Sequence, residues 1–178
     1  MRFILVALLL LSASTAQAAP AALDALFGKL ATAPSAEAAK PIEQEILTAF
    51  LQSGSASVDL LMTRTAALLE AKDSDTAAKV LDAVTKIAPD YAEGWHQLGE
   101  IEAGAGHDEA AMVALQKTVT LNPRQFAAQM ELGDLLAEYG AKPAALTSYK
   151  KALALDPHLE GLDHRVQQLS REVEGEKI

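Results

Sequence analysis

The chain has 178 residues, half of them hydrophobic, with few aromatics and no cysteine. The missing thiols exclude disulfides, cysteine-ligated metals and a lipid-modified N-terminal cysteine, and the sparse aromatics argue against a β-sandwich or barrel. A net charge of −9 disfavours nucleic acid and anionic lipid as partners.

Arg2, the unbroken apolar run Phe3–Leu11, the polar Ser12, Ser14 and Thr15, and then Ala16-Gln17-Ala18 read as the three parts of a secretory signal. The apolar run is far short of the roughly 20 residues that a membrane-spanning helix needs. Residues 1–18 are therefore expected to be a cleaved signal peptide, which places the mature chain in the periplasm or outside the cell without membrane insertion. Cleavage removes one positive charge, Arg2, so the net charge of −9 becomes −10.

Residues 19–57 are expected to form an N-terminal helical cap. Leu23, Leu26, Phe27 and Leu30 mark a short amphipathic helix. Ile42, Ile46, Leu47, Phe50 and Leu51 mark a second, with Pro41 in its first turn or at a kink, and Ala31–Ser35 forms the break between them. Both helices are expected to pack on the element that follows or to continue its stacking. Ser53-Gly54-Ser55 then turns the chain.

Pro89, Pro123 and Pro157 fall 34 residues apart, and each closes a segment with one internal pattern. The first segment, 58–91, is the most worn. Its Ala77, Leu81 and Pro89 are in register, but Leu61 stands where the second segment has Trp95, and Arg64-Thr65 where it has Leu98-Gly99. The second, 92–125, carries Trp95, Leu98, Gly99, Ala111 and Leu115; the third, 126–159, carries Leu132, Gly133, Ala145, Tyr149 and Ala152. Each segment reads as a helical hairpin. Gly99 and Gly133 on the first helix, and Ala77, Ala111 and Ala145 on the second, let the pair approach closely. Leu68 and Leu136 are expected in the core between them. Gly106 and Gly140 sit where a helix ends in a left-handed residue, and Ser74 and Asp108 are expected to be N-caps of the second helices. Pro143 suits a first helical turn, and the spaced prolines stop the second helices.

In residues 160–178, Leu162, Val166, Leu169 and Val173 continue from Leu159 as one apolar stripe. A capping helix is expected. The alternative is a structural subunit or homodimer of an envelope assembly, with this stripe as a coiled-coil seam. It is less favoured, because the stripe is shorter than the 3–4 heptads of a coil.

Over residues 58–159 the recurring pattern resembles the tetratricopeptide repeat, a 34-residue helix–turn–helix unit. The stretches SGSASVDLLMTR and PDYAEGW resemble small exported bacterial proteins of that family. The resemblance implies an all-α fold, an α-solenoid wound as a right-handed superhelix of three units with helical caps at both ends. Two positions depart from the family pattern: Arg64 replaces a usual core leucine, and Glu102 a usual aromatic. In the family the first helices line a concave groove that holds a polypeptide. Carried over, the partner-binding residues are Asp59 and Met62, then Glu93, His96, Gln97 and Glu100, then Met130, Glu131, Asp134 and Glu138. Acids dominate these positions and no Lys or Arg is among them, whereas Lys79, Lys86, Lys117, Lys150 and Lys151 fall on the second helices. The family's clamp for a terminal carboxylate uses Lys, Arg and Asn. Its positions here hold Met62, Ala66, Gln97, Ala127 and Glu131, so that mode is not expected and a basic or amide-rich polypeptide is.

The sequence contains no Gly-rich phosphate loop and no serine in a nucleophile elbow. His96 and Glu100 are one helical turn apart, as are Glu160 and His164, but a metal site needs three or four convergent ligands and the sequence offers no third. His96 is expected as a solvated or peptide-contacting groove residue. His107 and His158 have no partner suited to acid–base work. The reading is a non-catalytic protein-interaction module of the bacterial cell envelope, without metal or cofactor.

Overall fold

The computed structural model describes residues 18–175, so the expected signal peptide, apart from Ala18, lies outside the described residues. The regular structure within them is helical: α1 (Ala18–Ala31), α2 (Ala36–Phe50), α3 (Ala56–Glu70), α4 (Ser74–Ile87), α5 (Ala92–Gly104), α6 (Asp108–Leu121), α7 (Phe126–Glu138), α8 (Lys142–Leu155) and α9 (Leu162–Gly175). No helix among them is long and apolar enough to cross a membrane.

Local chemistry sets the helix ends. Ser35 caps α2 by accepting from the Ala38 amide, and Pro41 lies inside α2, beyond its first turn. The caps of α4 and α6 fall one residue before Ser74 and Asp108, at Asp73 and His107. The Asp73 carboxylate accepts from the Thr76 amide at 3.1 Å, and Asp108 instead lies in the first turn of α6, where its charge faces the helix dipole. Each first helix ends in the same two backbone bonds. In the second hairpin Gly106 N–H donates to Ala103 and His107 N–H to Glu102; Gly140 and Ala141 repeat this on Ala137 and Leu136. Both glycines have positive φ, 76° and 73°. In the first hairpin the left-handed place is held by Lys72, at φ 60°, with matching bonds to Leu69 and from Asp73 to Leu68.

From α3 onward each helix packs on the next, which makes a linear array of three hairpins closed by α9. Close approach within a hairpin depends on the missing side chain of Gly133. A Cβ there would lie 2.5 Å from the Tyr149 ring. Thr65 takes the equivalent place in the first hairpin; it is fully buried and returns its hydroxyl to the Leu61 carbonyl. Arg64 points to solvent, so the worn register costs the first hairpin one core side chain and buries no charge. Glu102, at the aromatic position, is half-buried and pairs with His107 at 2.7 Å. Leu68 and Leu136 are half-buried.

The N-terminal hairpin does not stack on α3. Its apolar face, with Phe27, Leu30, Ala39 and Ile46 buried, joins Phe126, Leu155 and Leu159 of the third segment. The three loops that carry the spaced prolines share one edge of the array, and α1–α2 lies along that edge as a strap. Tyr91 beside the first loop donates to the Leu51 carbonyl at 2.8 Å. Arg124 in the second pairs with Asp24 and covers the Phe27 ring at 4.0 Å. Asp156 and His158 in the third interact electrostatically with Glu43. Side chains in or beside all three loops thus reach the strap, which explains why its apolar stripes fail to continue the stacking. One consequence is that α3 keeps an open outer side, with Leu60 70% exposed.

At the other end the stripe of α9 is used within the chain. Leu162, Leu169 and Val173 are buried against Ala145, Leu146, Tyr149 and Ala152 of α8. The apolar side chains that a homodimer seam would need are therefore already covered.

Candidate functional site

Glu93, His96, Gln97 and Glu100 follow one another at helical spacing on α5, so they share the face that looks toward α7. The PDYA turn starts this helix just after Pro89, and Gly99 and Gly133 seat α5 on α6 and α7 on α8. That seating brings Glu131 of α7 to His96. The His96 Nε2 lies 3.0 Å from a Glu131 oxygen, and its Nδ1 lies 3.5 Å from Glu93. Gln97 and Gln125 donate to the two Glu93 oxygens at 3.1 and 2.8 Å, so this buried carboxylate is held from both sides.

His96 is 5% exposed and Glu93 8%. This corrects the expectation of a solvated groove histidine. A buried imidazole would ordinarily lose its proton more easily, but the Glu131 and Glu93 carboxylates outweigh desolvation and push its pKa up to about 10. At neutral pH it is an imidazolium clasped by two carboxylates. Glu100 keeps an exposed face, but its pKa is raised by desolvation and by repulsion from Glu131 and Glu93, against the pull of His96. Three acidic side chains, Glu93, Glu100 and Glu131, thus gather around His96 between α5 and α7.

The remaining expected residues divide. Asp59 accepts from the backbone and hydroxyl of Ser53 and so fixes the turn into α3. Met62 is buried with Val58, Leu81, Val84 and Tyr91, which removes it from any ligand surface. Met130 packs toward the cluster under α9. Asp134 accepts from the Tyr149 hydroxyl at 2.6 Å and pairs with Arg165 of α9, and burial together with this carboxylate pushes the Tyr149 phenol up to about 12. Glu138 is exposed at the end of α7. The groove is thus not free of basic groups, because the capping helix brings Arg165 to it.

Glu100, Glu131 and Asp134 rim a cavity of about 300 Å³ between α5 and α7, floored by Gly99, Ala103, Leu115 and Leu135. His96, Glu100 and Glu131 also bring one ligand atom each to within 4.8 Å of one another. Glu131 is the third group of this cluster, and the sequence did not connect it with His96. Gln125 and Arg165 escaped sequence reasoning as well. The repeat period marks the place of Gln125, 34 residues after the buried Tyr91, but nothing marks its partner. Arg165 acts from an element outside the repeat.

A stack of helical hairpins with a polar face on its first helices defines an α-solenoid. The chain has the fold of the tetratricopeptide repeat proteins. It is 31% identical over 106 residues to a TPR repeat-containing protein of Rhizobium etli, matching 60% of this chain and 52% of that one, so it spans about half the length of the curated relative. The solved structure of MamA AMB-1 has the same fold at 19% identity and a TM-score of 0.59, covering 87% of this chain and 82% of its own. The type III secretion chaperone SycD of Yersinia enterocolitica, solved with a peptide of the translocator YopD, aligns at 16% identity and a TM-score of 0.58, over 70% of this chain and 97% of its own. At these identities the two structures establish the fold alone. No protein-family model matches the chain.

Proposed function

We propose that the protein is a non-catalytic interaction module of the bacterial cell envelope that holds a basic or amide-rich polypeptide in the groove of its first helices. The observation that carries this reading is the cavity between α5 and α7. Its apolar floor of Ala103, Leu115 and Leu135 suits the methylene stem of a lysine or arginine, and its rim of Glu100, Glu131 and Asp134 suits the charged end. The positions of a carboxylate clamp hold no cation, which argues against recognition of a peptide's C-terminal carboxylate. The bound peptide of SycD supports polypeptide binding as a use of this fold. Export to the periplasm or beyond rests on the sequence of residues 1–18.

The groove is tested by charge reversal away from structural pairs. Asp134 is unsuitable, because Arg165 and Tyr149 depend on it; Glu100 and Glu138 are exposed. Glu100→Lys with Glu138→Lys should reduce recovery of partners from an envelope fraction while the helical signal and monomeric elution stay as in the wild type. Recovery of the same partners in the same amounts would sink the groove reading.

A further inference from the structure

We propose that His96, Glu100 and Glu131 form a binding site for one divalent first-row transition-metal ion. The site goes beyond polypeptide binding and does not depend on it. Its core is a buried imidazole rather than a patch of surface acids. His96 Nε2 faces Glu131 at 3.0 Å, Glu100 comes from one turn further along α5, and the three ligand atoms lie within 4.8 Å of one another. Around an ion with bonds of about 2.1 Å, tetrahedral ligand atoms stand roughly 3.4 Å apart. Small rotations of Glu100 and Glu131, whose side chains are not fully buried, close the remainder.

Behind His96, its second nitrogen lies 3.3 Å from the Gln125 amide nitrogen and 3.5 Å from a Glu93 oxygen, and the amides of Gln97 and Gln125 fix that carboxylate on both oxygens. A ligating imidazole characteristically gives its other N–H to a buried carboxylate, which sets the tautomer and aims the free nitrogen at the ion. Glu93 is in place for that role. The cavity beside Glu100 and Glu131 gives an ion a route in and leaves room for water to complete its coordination.

The grouping of acids points the same way. Glu93 and Glu131 flank His96 on its two nitrogens and Glu100 stands one turn further along α5, so a divalent ion would be met by acidic neighbours. One imidazole with two carboxylates suits a borderline ion such as Zn²⁺ or Ni²⁺. Calcium and magnesium, which prefer oxygen ligands alone, fit the donor set less well.

The experiment is a titration of the purified, chelator-treated chain with Zn²⁺ at pH 8, followed by competition with a chromophoric chelator, and repeated with Mg²⁺. The expected result is one Zn²⁺ per chain, no comparable Mg²⁺ binding, and at least tenfold weaker Zn²⁺ binding in Glu100→Gln and in Glu131→Gln. Glu100→Gln is the decisive variant, since this exposed residue has no structural partner whose loss would disturb folding; thermal melting confirms the fold. His107→Ala is the control for chance binding at the exposed His107–Glu102 pair and should leave affinity unchanged. Stoichiometric binding lost with His107→Ala, binding unaltered by Glu100→Gln, or no Zn²⁺ binding by the wild type would each overturn the proposal.

Discussion

Replacing Lys72 with glycine should stabilise the protein. Three turns of one geometry occur at residues 72, 106 and 140, closed by equivalent backbone bonds, and only the first holds a residue with a side chain. A left-handed conformation costs an L-residue about 1–2 kcal/mol, whereas the greater unfolded-state freedom of glycine costs about 0.5–1 kcal/mol. The Lys72 side chain is exposed, so no packing is lost. Its charge does face the C-terminal end of α3, which is worth about 0.3–1 kcal/mol, and that contribution would blur a single measurement. Lys72→Ala removes the same charge but keeps the Cβ. The difference between the glycine and alanine variants therefore isolates the backbone effect, at about 0.5–1 kcal/mol in favour of glycine. In a chain of this size that is roughly 1–4 °C of melting temperature. Urea unfolding followed by circular dichroism measures it, and Gly106→Ala and Gly140→Ala should show the opposite sign. A glycine variant no more stable than the alanine variant would refute the strain argument.

Gly133→Ala should destabilise by about 1–3 kcal/mol, because the new Cβ would meet the rigid Tyr149 ring at 2.5 Å; an unchanged melting temperature would mean that the hairpin relaxes freely. Asp156→Asn should raise stability at neutral pH by about 1 kcal/mol. Asp156 is fully buried, one of its oxygens has no partner, and Asn122 makes the same turn one repeat earlier. Burial raises the Asp156 pKa, so the folded state favours the protonated acid and the advantage of asparagine should fade as pH falls into the acid range. An advantage that persists there would point away from the buried charge. For His96 the folded pKa of about 10 stands above the unfolded value of about 6.5. Its stabilisation is fully present below pH 6.5 and lost as pH rises through 10. In chelator, wild-type urea midpoints should therefore fall more steeply between pH 7 and 10 than those of His96→Gln, and parallel profiles would count against the imidazolium.

The spaced prolines, the Leu-Gly pairs and the Ala-x3-Tyr spacing carried the hairpin array in the sequence, because a repeat must present the same small and large side chains at each helix crossing. The polar face of α5 was legible for the same reason: helical spacing alone aligns Glu93, His96, Gln97 and Glu100. What met that face was not legible. Glu131 lies 35 residues from His96, Gln125 reaches Glu93 across 32, and Arg165 reaches Asp134 across 31, and no local rule specifies such pairs. The strap shows the same limit. Its apolar stripes announced two helices that needed a surface, but two surfaces were on offer, the outer side of α3 and the edge of proline loops. Phe126, Leu155, Leu159, Tyr91 and Arg124 come together on that edge only once the hairpins are stacked. Periodicity therefore determined which elements form and which faces they bury. The tertiary structure decided where the strap lies and that His96 is buried between two carboxylates, one of them brought from the next hairpin.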